Sequence, residues 1–118
     1  MMERMADIRS IETPTHGRVL VVPSMGAAPA GWIVAFHGYA QGADDVLTEV
    51  TAIPGAGDWH LASVQALNRF YSRAEEKVIA CWMTRQDREL AIADNVEYVD
   101  RVVATVVAPP TAGSGARL

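Results

Sequence analysis

The sequence predicts an α/β fold, a sheet with an antiparallel N-terminal entry followed by βαβ units. Three observations predict it. Trp32-Ile33-Val34-Ala35-Phe36 is a wholly apolar run, long enough for a strand buried on both faces, and it halts at His37-Gly38-Tyr39 before a helix that begins near Asp44. Residues 59–64 form a second apolar run of strand length. A helical period then occupies residues 84–107, and strands alternating with helices build a parallel sheet.

Taken in order, residues 8–12 and 18–22 read as two strands joined by a turn at Pro14-Thr15-His16-Gly17. Val19-Leu20-Val21-Val22 is apolar and rich in β-branched residues, and Pro23 ends it. Residues 24–30, with Gly26 and Pro29, form a loop into the 32–36 strand. Residues 44–52 suit a short helix capped by Asp44, with Val46, Leu47 and Val50 sharing a face. Ile53-Pro54-Gly55-Ala56-Gly57-Asp58 breaks that helix, and the 59–64 strand ends at Gln65. Residues 68–76 are polar and aromatic with no evident period, while 78–82 suit a strand or an extended approach to a cleft. Over 84–107, Thr84 and Asp87 resemble a capping box, and Ile92, Val96, Val99, Val103 and Val106 fall on one helical face. Pro109-Pro110 ends the helix, leaving a domain over 1–107 and a flexible tail over 108–118.

Composition narrows the functions. At 118 residues the chain holds one domain with a modest core. A net charge of −4, with its Lys and Arg scattered, argues against nucleic acid, which needs a basic footprint. Cys81 is the only cysteine, so neither a disulfide framework nor a cysteine metal site is expected, and a cytoplasmic location fits. Met1 to Asp7 carries charges where a signal peptide needs its apolar stretch, and no run has the ~18 apolar residues of a membrane helix. No cofactor and no metal site are expected.

The chemistry-bearing candidate is His37-Gly38-Tyr39. A tight turn at the carboxyl end of a buried strand directs backbone N–H groups into a cleft, where they hold the negative charge that acyl transfer develops on a carbonyl oxygen. Gly38 suits it because a Cβ would crowd the turn. The plainer reading is an ordinary turn.

Five stretches together resemble the N-terminal half of serine α/β-hydrolases of the phospholipase/carboxylesterase group, near the polyhydroxybutyrate-depolymerase-like esterases. They are His16-Gly17-Arg18, Phe36-His37-Gly38-Tyr39-Ala40, Ile53-Pro54-Gly55, Leu61-Ala62-Ser63-Val64-Gln65-Ala66, and Cys81-Trp82-Met83 running into the long helix. The resemblance covers roughly residues 15 to 107. It implies an incomplete α/β-hydrolase-type sheet in which Tyr39 donates one oxyanion-hole N–H, with His37 and Gly38 shaping the hole. It also implies an ester or acyl small molecule as the substrate of the parent enzyme. Aromatic walls exclude water from an ester, so Trp82, Met83 and Tyr71 are candidate substrate-binding residues, beside Arg69 and Phe70. Core and rim packing is the bland alternative for each.

The departure from the family is the missing nucleophile. That family continues into a strand and a Gly-x-Ser-x-Gly elbow, then the acid and the histidine. No Gly-x-Ser-x-Gly occurs in this sequence. Gly113-Ser114-Gly115 has glycines adjacent to the serine, follows two prolines, and reads as tail. No catalytic residue is therefore assigned, and the expectation is a truncated serine-esterase front half, silent alone.

Other groups take simple readings. His16, His37 and His60 lack metal-ligand spacing; His37 braces its turn and His60 closes a turn before its strand. Gly55-Ala56-Gly57 follows a helix, not a strand, and fails as a dinucleotide fingerprint. Asp44-Asp45 complements a helix start. Asp87, Glu89, Asp94, Glu97 and Asp100 are a solvated helix face, and Cys81 a small buried residue. The competing function is an interaction module that uses an exposed sheet edge, with a homo-oligomer or a complementing second half as partner and no membrane span. A complete small enzyme using Ser114 is a remote third.

Overall fold

The computed structural model describes residues 4–74 and 76–107. Its centre is strand β3 (His60–Gln65), paired on one side with β1 (Arg18–Val22) and on the other with β2 (Trp32–Phe36), so the order is β1-β3-β2. β1 runs antiparallel to β3, pairing Arg18 with Gln65 and Val22 with Leu61. β2 runs parallel to β3, pairing Trp32 with His60 and Phe36 with Val64. Parallel neighbours need a crossover, and helix α1 (Ala43–Thr51) supplies it. The domain is thus a small mixed α/β unit holding one βαβ crossover.

The central strand is buried because it has neighbours on both edges. Leu61, Ala62, Ser63 and Val64 are all but sealed from solvent, and burying a side chain the size of Val64 contributes roughly 1.5–3 kcal/mol. α1 packs across all three strands, with Ala43 buried and Val46, Leu47 and Val50 turned inward, the face expected from the spacing. Gly42, and not Asp44, is the N-cap. The Asp45 carboxylate, three residues on, accepts the Gly42 N–H at 2.8 Å and so satisfies the backbone donor at the helix start.

The aromatic stretch without a period is a strand. β4 (Asn68–Tyr71) and β5 (Val78–Cys81) form an antiparallel hairpin, pairing Asn68 with Cys81 and Tyr71 with Val78. Its return strand docks on the loop after β2: Ala40 N–H donates to the Ala80 carbonyl at 3.1 Å and Ala80 N–H to the Gln41 carbonyl at 2.8 Å.

Further expectations are corrected. Residues 8–12 form no strand, and β1 takes its antiparallel partner from β3, whose buried edge offers a full ladder. The long helix, α2, begins at Arg88 and spans Arg88–Val102. The Thr84–Asp87 capping box does not form: Thr84 Oγ1 donates to the Gln86 carbonyl, and Asp87 sits in the left-handed region at φ 55 without capping through its side chain. The apolar face is also displaced. Of its five residues Ile92 and Val96 are exposed and Val99, Val103 and Val106 half-buried, while Ala91, Asn95, Tyr98 and Val102 turn inward. Residues Val103–Val107 close the helix in π geometry, whose wider turn brings positions five apart onto one side, so Val102 and Val107 are buried together. The expected tail over 108–118, including Ser114, lies outside the described residues.

Candidate functional site

The loop after β2 is braced from three sides. His37 is 3% exposed, and both its ring nitrogens are engaged. Nε2 accepts the Ala66 N–H at 3.0 Å, just past the end of β3. That leaves the proton on Nδ1, which donates to the Gly38 carbonyl at 2.7 Å. A histidine with both nitrogens spent on backbone holds a turn and has no free nitrogen to move a substrate's proton.

Trp82 reinforces the brace. Its Nε1–H donates to the His37 carbonyl at 2.8 Å, and its ring lies 5.4 Å from the His37 ring and 5.7 Å, edge-on, from Phe36. α2 fixes Trp82 in turn, because Asn95 Nδ2 donates to the Trp82 carbonyl at 2.6 Å. One helical turn on, the Tyr98 hydroxyl donates to the Gln65 carbonyl at 2.8 Å and reaches the Arg18 carbonyl at 3.3 Å, tying α2 to the β1–β3 ladder. Burial raises the Tyr98 phenol above its ordinary value, partly offset by its bond to the Arg18 backbone and by the Arg69 charge.

Within the turn, the backbone donors have unequal fates. Gly38 N–H is taken by the Gln41 side-chain oxygen at 2.8 Å. Ala40 N–H goes to Ala80 and Gln41 N–H returns to the Gly38 carbonyl at 3.3 Å. Of the N–H groups from Gly38 to Gln41, only that of Tyr39 meets no acceptor among the described residues. Ala40 completes the turn in the left-handed region at φ 60, a conformation costly for a residue with a Cβ.

The aromatic candidates fall in two places. Tyr39 is 76% exposed, its ring 6.0 Å from Phe70 on the hairpin, and Tyr71, the next residue of that strand, is exposed. Trp82 is half-buried under the turn and Met83 is exposed at the start of the following loop. Among the described residues, two clefts on the surface are lined by none of His37, Gly38 and Tyr39. One, of about 340 Å³, runs along Asn68, Thr84, Asp94 and Asn95; the other, of about 440 Å³, lies between Arg18, Gln65, Arg69 and Lys77.

Elsewhere, Ser63 is wholly buried and its hydroxyl donates to the Ala43 carbonyl at 2.7 Å, fastening α1 to β3. His60 opens β3, and its Nδ1 accepts the Ser24 N–H at 2.9 Å. Lys77 bridges Asp45 at 2.6 Å and Asp44 at 3.5 Å. That pairing, with the Gly42 N–H, holds the Asp45 carboxyl below its usual range, and Asp45 in turn raises Lys77. Cys81 is buried. Among the described residues no helix is long and apolar enough to cross a membrane, and no group of His, Cys, Asp and Glu converges as metal ligands.

Gln41, Asn95 and Tyr98 were not singled out from the sequence. Asn95 and Tyr98, three apart on α2, are the one polar pair on its inward face, and that spacing was the available signal. No family model matches the chain, and no curated protein or solved structure matches it either.

Proposed function

We propose that this chain is the N-terminal portion of a carboxylic-ester hydrolase of the α/β-hydrolase type, carrying half of an oxyanion hole and inactive alone. The observation that carries the reading is the single unclaimed donor at the carboxyl end of β2. Every neighbouring N–H is tied within the protein, while that of Tyr39 is left for a ligand oxygen. Donors already fixed in place stabilise a developing oxyanion without reorganising, and one such donor is worth ~10²–10³ in rate. The β1-β3-β2 order supports it too, since the outer edge of β2 has no strand partner among the described residues. A nucleophile strand laid there would deliver its serine beside Tyr39.

The test is to translate the DNA beyond the Leu118 codon in all frames and to assay the chain on p-nitrophenyl esters. A strand followed by Gly-x-Ser-x-Gly, then Asp and His, with no turnover by the chain alone, is the expected result. Turnover that follows the protein through purification, or the absence of those elements in every frame, overturns it.

The open β2 edge also favours a second reading, a self-associating module. Five consecutive apolar residues with no Lys or Pro make an edge ready to pair, and Ile92 and Val96 stand exposed on α2. A defined oligomer in sedimentation, with a cooperative melt, would favour it over the hydrolase reading.

A further inference from the structure

The cleft between the start of β1, the end of β3 and the β4–β5 hairpin is cationic in a chain whose net charge is −4. Arg18 and Arg69 both line it, and among the described residues neither guanidinium has a carboxylate partner or a side-chain hydrogen bond. Lys77 lines it as well but is held by Asp45 at 2.6 Å and by Asp44, the acidic group on the wall, at 3.5 Å, so the uncompensated positive charge is that of the two arginines.

At the end of β3 is a donor with nothing to donate to. Gln65 is 8% exposed, and its Oε1 accepts the Ala43 N–H at 3.4 Å, which sets the orientation of the amide. Its Nε2 meets no acceptor among the described residues. Among the described residues no fully buried side-chain polar atom lacks a partner, so Nε2 reaches solvent, and Gln65 lines this cleft. The register pairs Arg18 with Gln65 across the β1–β3 ladder, which sets the guanidinium stem beside the amide.

We propose that this cleft binds an oxyanion, a carboxylate or a phosphate, between the Arg18 and Arg69 guanidiniums with the Gln65 amide as a further donor. The chemistry is specific to that class. Guanidinium forks match the paired oxygens of carboxylate and phosphate, and an amide N–H₂ adds a donor without charge. The site is separate from the Tyr39 turn and does not rest on the ester-hydrolase reading.

The experiment is a titration of the ¹⁵N-labelled chain with inorganic phosphate and, separately, with acetate, following the Gln65 side-chain amide and the Arg18 and Arg69 backbone signals. Saturable shifts at those positions are expected. Saturation by phosphate alone assigns the site to phosphate, and saturation by acetate alone to carboxylates. Both saturating assigns it to the shared oxyanion. Arg18→Gln and Arg69→Gln are each expected to weaken binding about tenfold or more, while Arg73→Gln, outside the cleft, leaves it unchanged. Should the glutamine variants not fold, Arg18→Lys and Arg69→Lys keep the charge but lose the fork, and the same direction is expected. Shifts that stay linear with both anions, or affinity untouched in folded variants, overturn the proposal.

Discussion

Replacing His37 by alanine is expected to cost the fold about 2–4 kcal/mol, because the imidazole is a brace between two backbone segments. The magnitude follows from its contacts. Ala66 N–H is 3.0 Å from Nε2 in a residue only 2% exposed, so its loss leaves a buried donor without an acceptor, at about 1–3 kcal/mol. The ring's contact with Trp82, at 5.4 Å, adds about 0.5–1.5 kcal/mol. The Gly38 carbonyl suffers less, because Gln41 N–H still reaches it at 3.3 Å. In a domain of this size the loss corresponds to a fall in Tm of roughly 8–20 °C, read by far-UV circular dichroism. Hydrogen exchange supplies a local readout, in which the Ala66 amide loses its protection. His37→Gln restores an acceptor near the Nε2 position and should recover part of both signals. If His37→Ala melts with the parent protein and Ala66 stays protected, the brace is wrongly assigned and a chemical role for His37 reopens.

Three further outcomes are expected. A Cβ on Gly17 would lie 2.1 Å from Tyr98 Cε1, so Gly17→Ala must displace the Tyr98 ring from its place against β1 and should cost about 1–3 kcal/mol, measured by urea unfolding; an unchanged midpoint would show that Tyr98 does not pack there. Ala40→Gly relieves a left-handed residue at φ 60 and should stabilise by about 0.5–1 kcal/mol, whereas a loss would mean the turn is not held in that conformation. The Asp45–Lys77 pair makes stability depend on pH. Asp45 is held below its ordinary 3.8, so its contribution is full above that value and fades as pH falls through the lower folded-state value. Lys77 is raised above 10.5, so its contribution is full below that value and fades as pH climbs past it. Asp45→Asn should therefore differ most from the parent near neutrality and converge with it in strong acid, and a constant difference across a pH series of urea midpoints would remove the pair from the account.

Patterns local to the chain were legible. The apolar runs at 32–36 and 59–64 give strands, the second shifted by one residue to His60–Gln65, because each is short, apolar and bounded by turn residues, and the inward face of α1 follows from Val46, Leu47 and Val50. α2 shows where periodicity misleads. Of the expected stripe Val99, Val103 and Val106 are half-buried but Ile92 and Val96 face solvent, because Asn95 and Tyr98, hydrogen-bonded to the Trp82, Gln65 and Arg18 carbonyls, turn the helix part-way round. Hydrophobic spacing says which residues share a face; partners distant in the chain decide which face is used. The hairpin strand at 68–71 was illegible for a related reason, since an edge strand exposed on its flanks has no apolar period to show.

By itself, the sequence determined the α/β class, the turn at His37-Gly38-Tyr39 and the acidic balance, because these depend on residue type and near-neighbour spacing alone. Only the tertiary structure decided that β1 pairs with β3, that His37 spends both ring nitrogens on backbone, and that the Tyr39 N–H is unclaimed among the described residues. It alone gathered Arg18, Gln65, Arg69 and Lys77 around one cleft. Each of these depends on which carbonyl, amide or charge a fold brings within a few ångströms, and no spacing along a chain contains that distance.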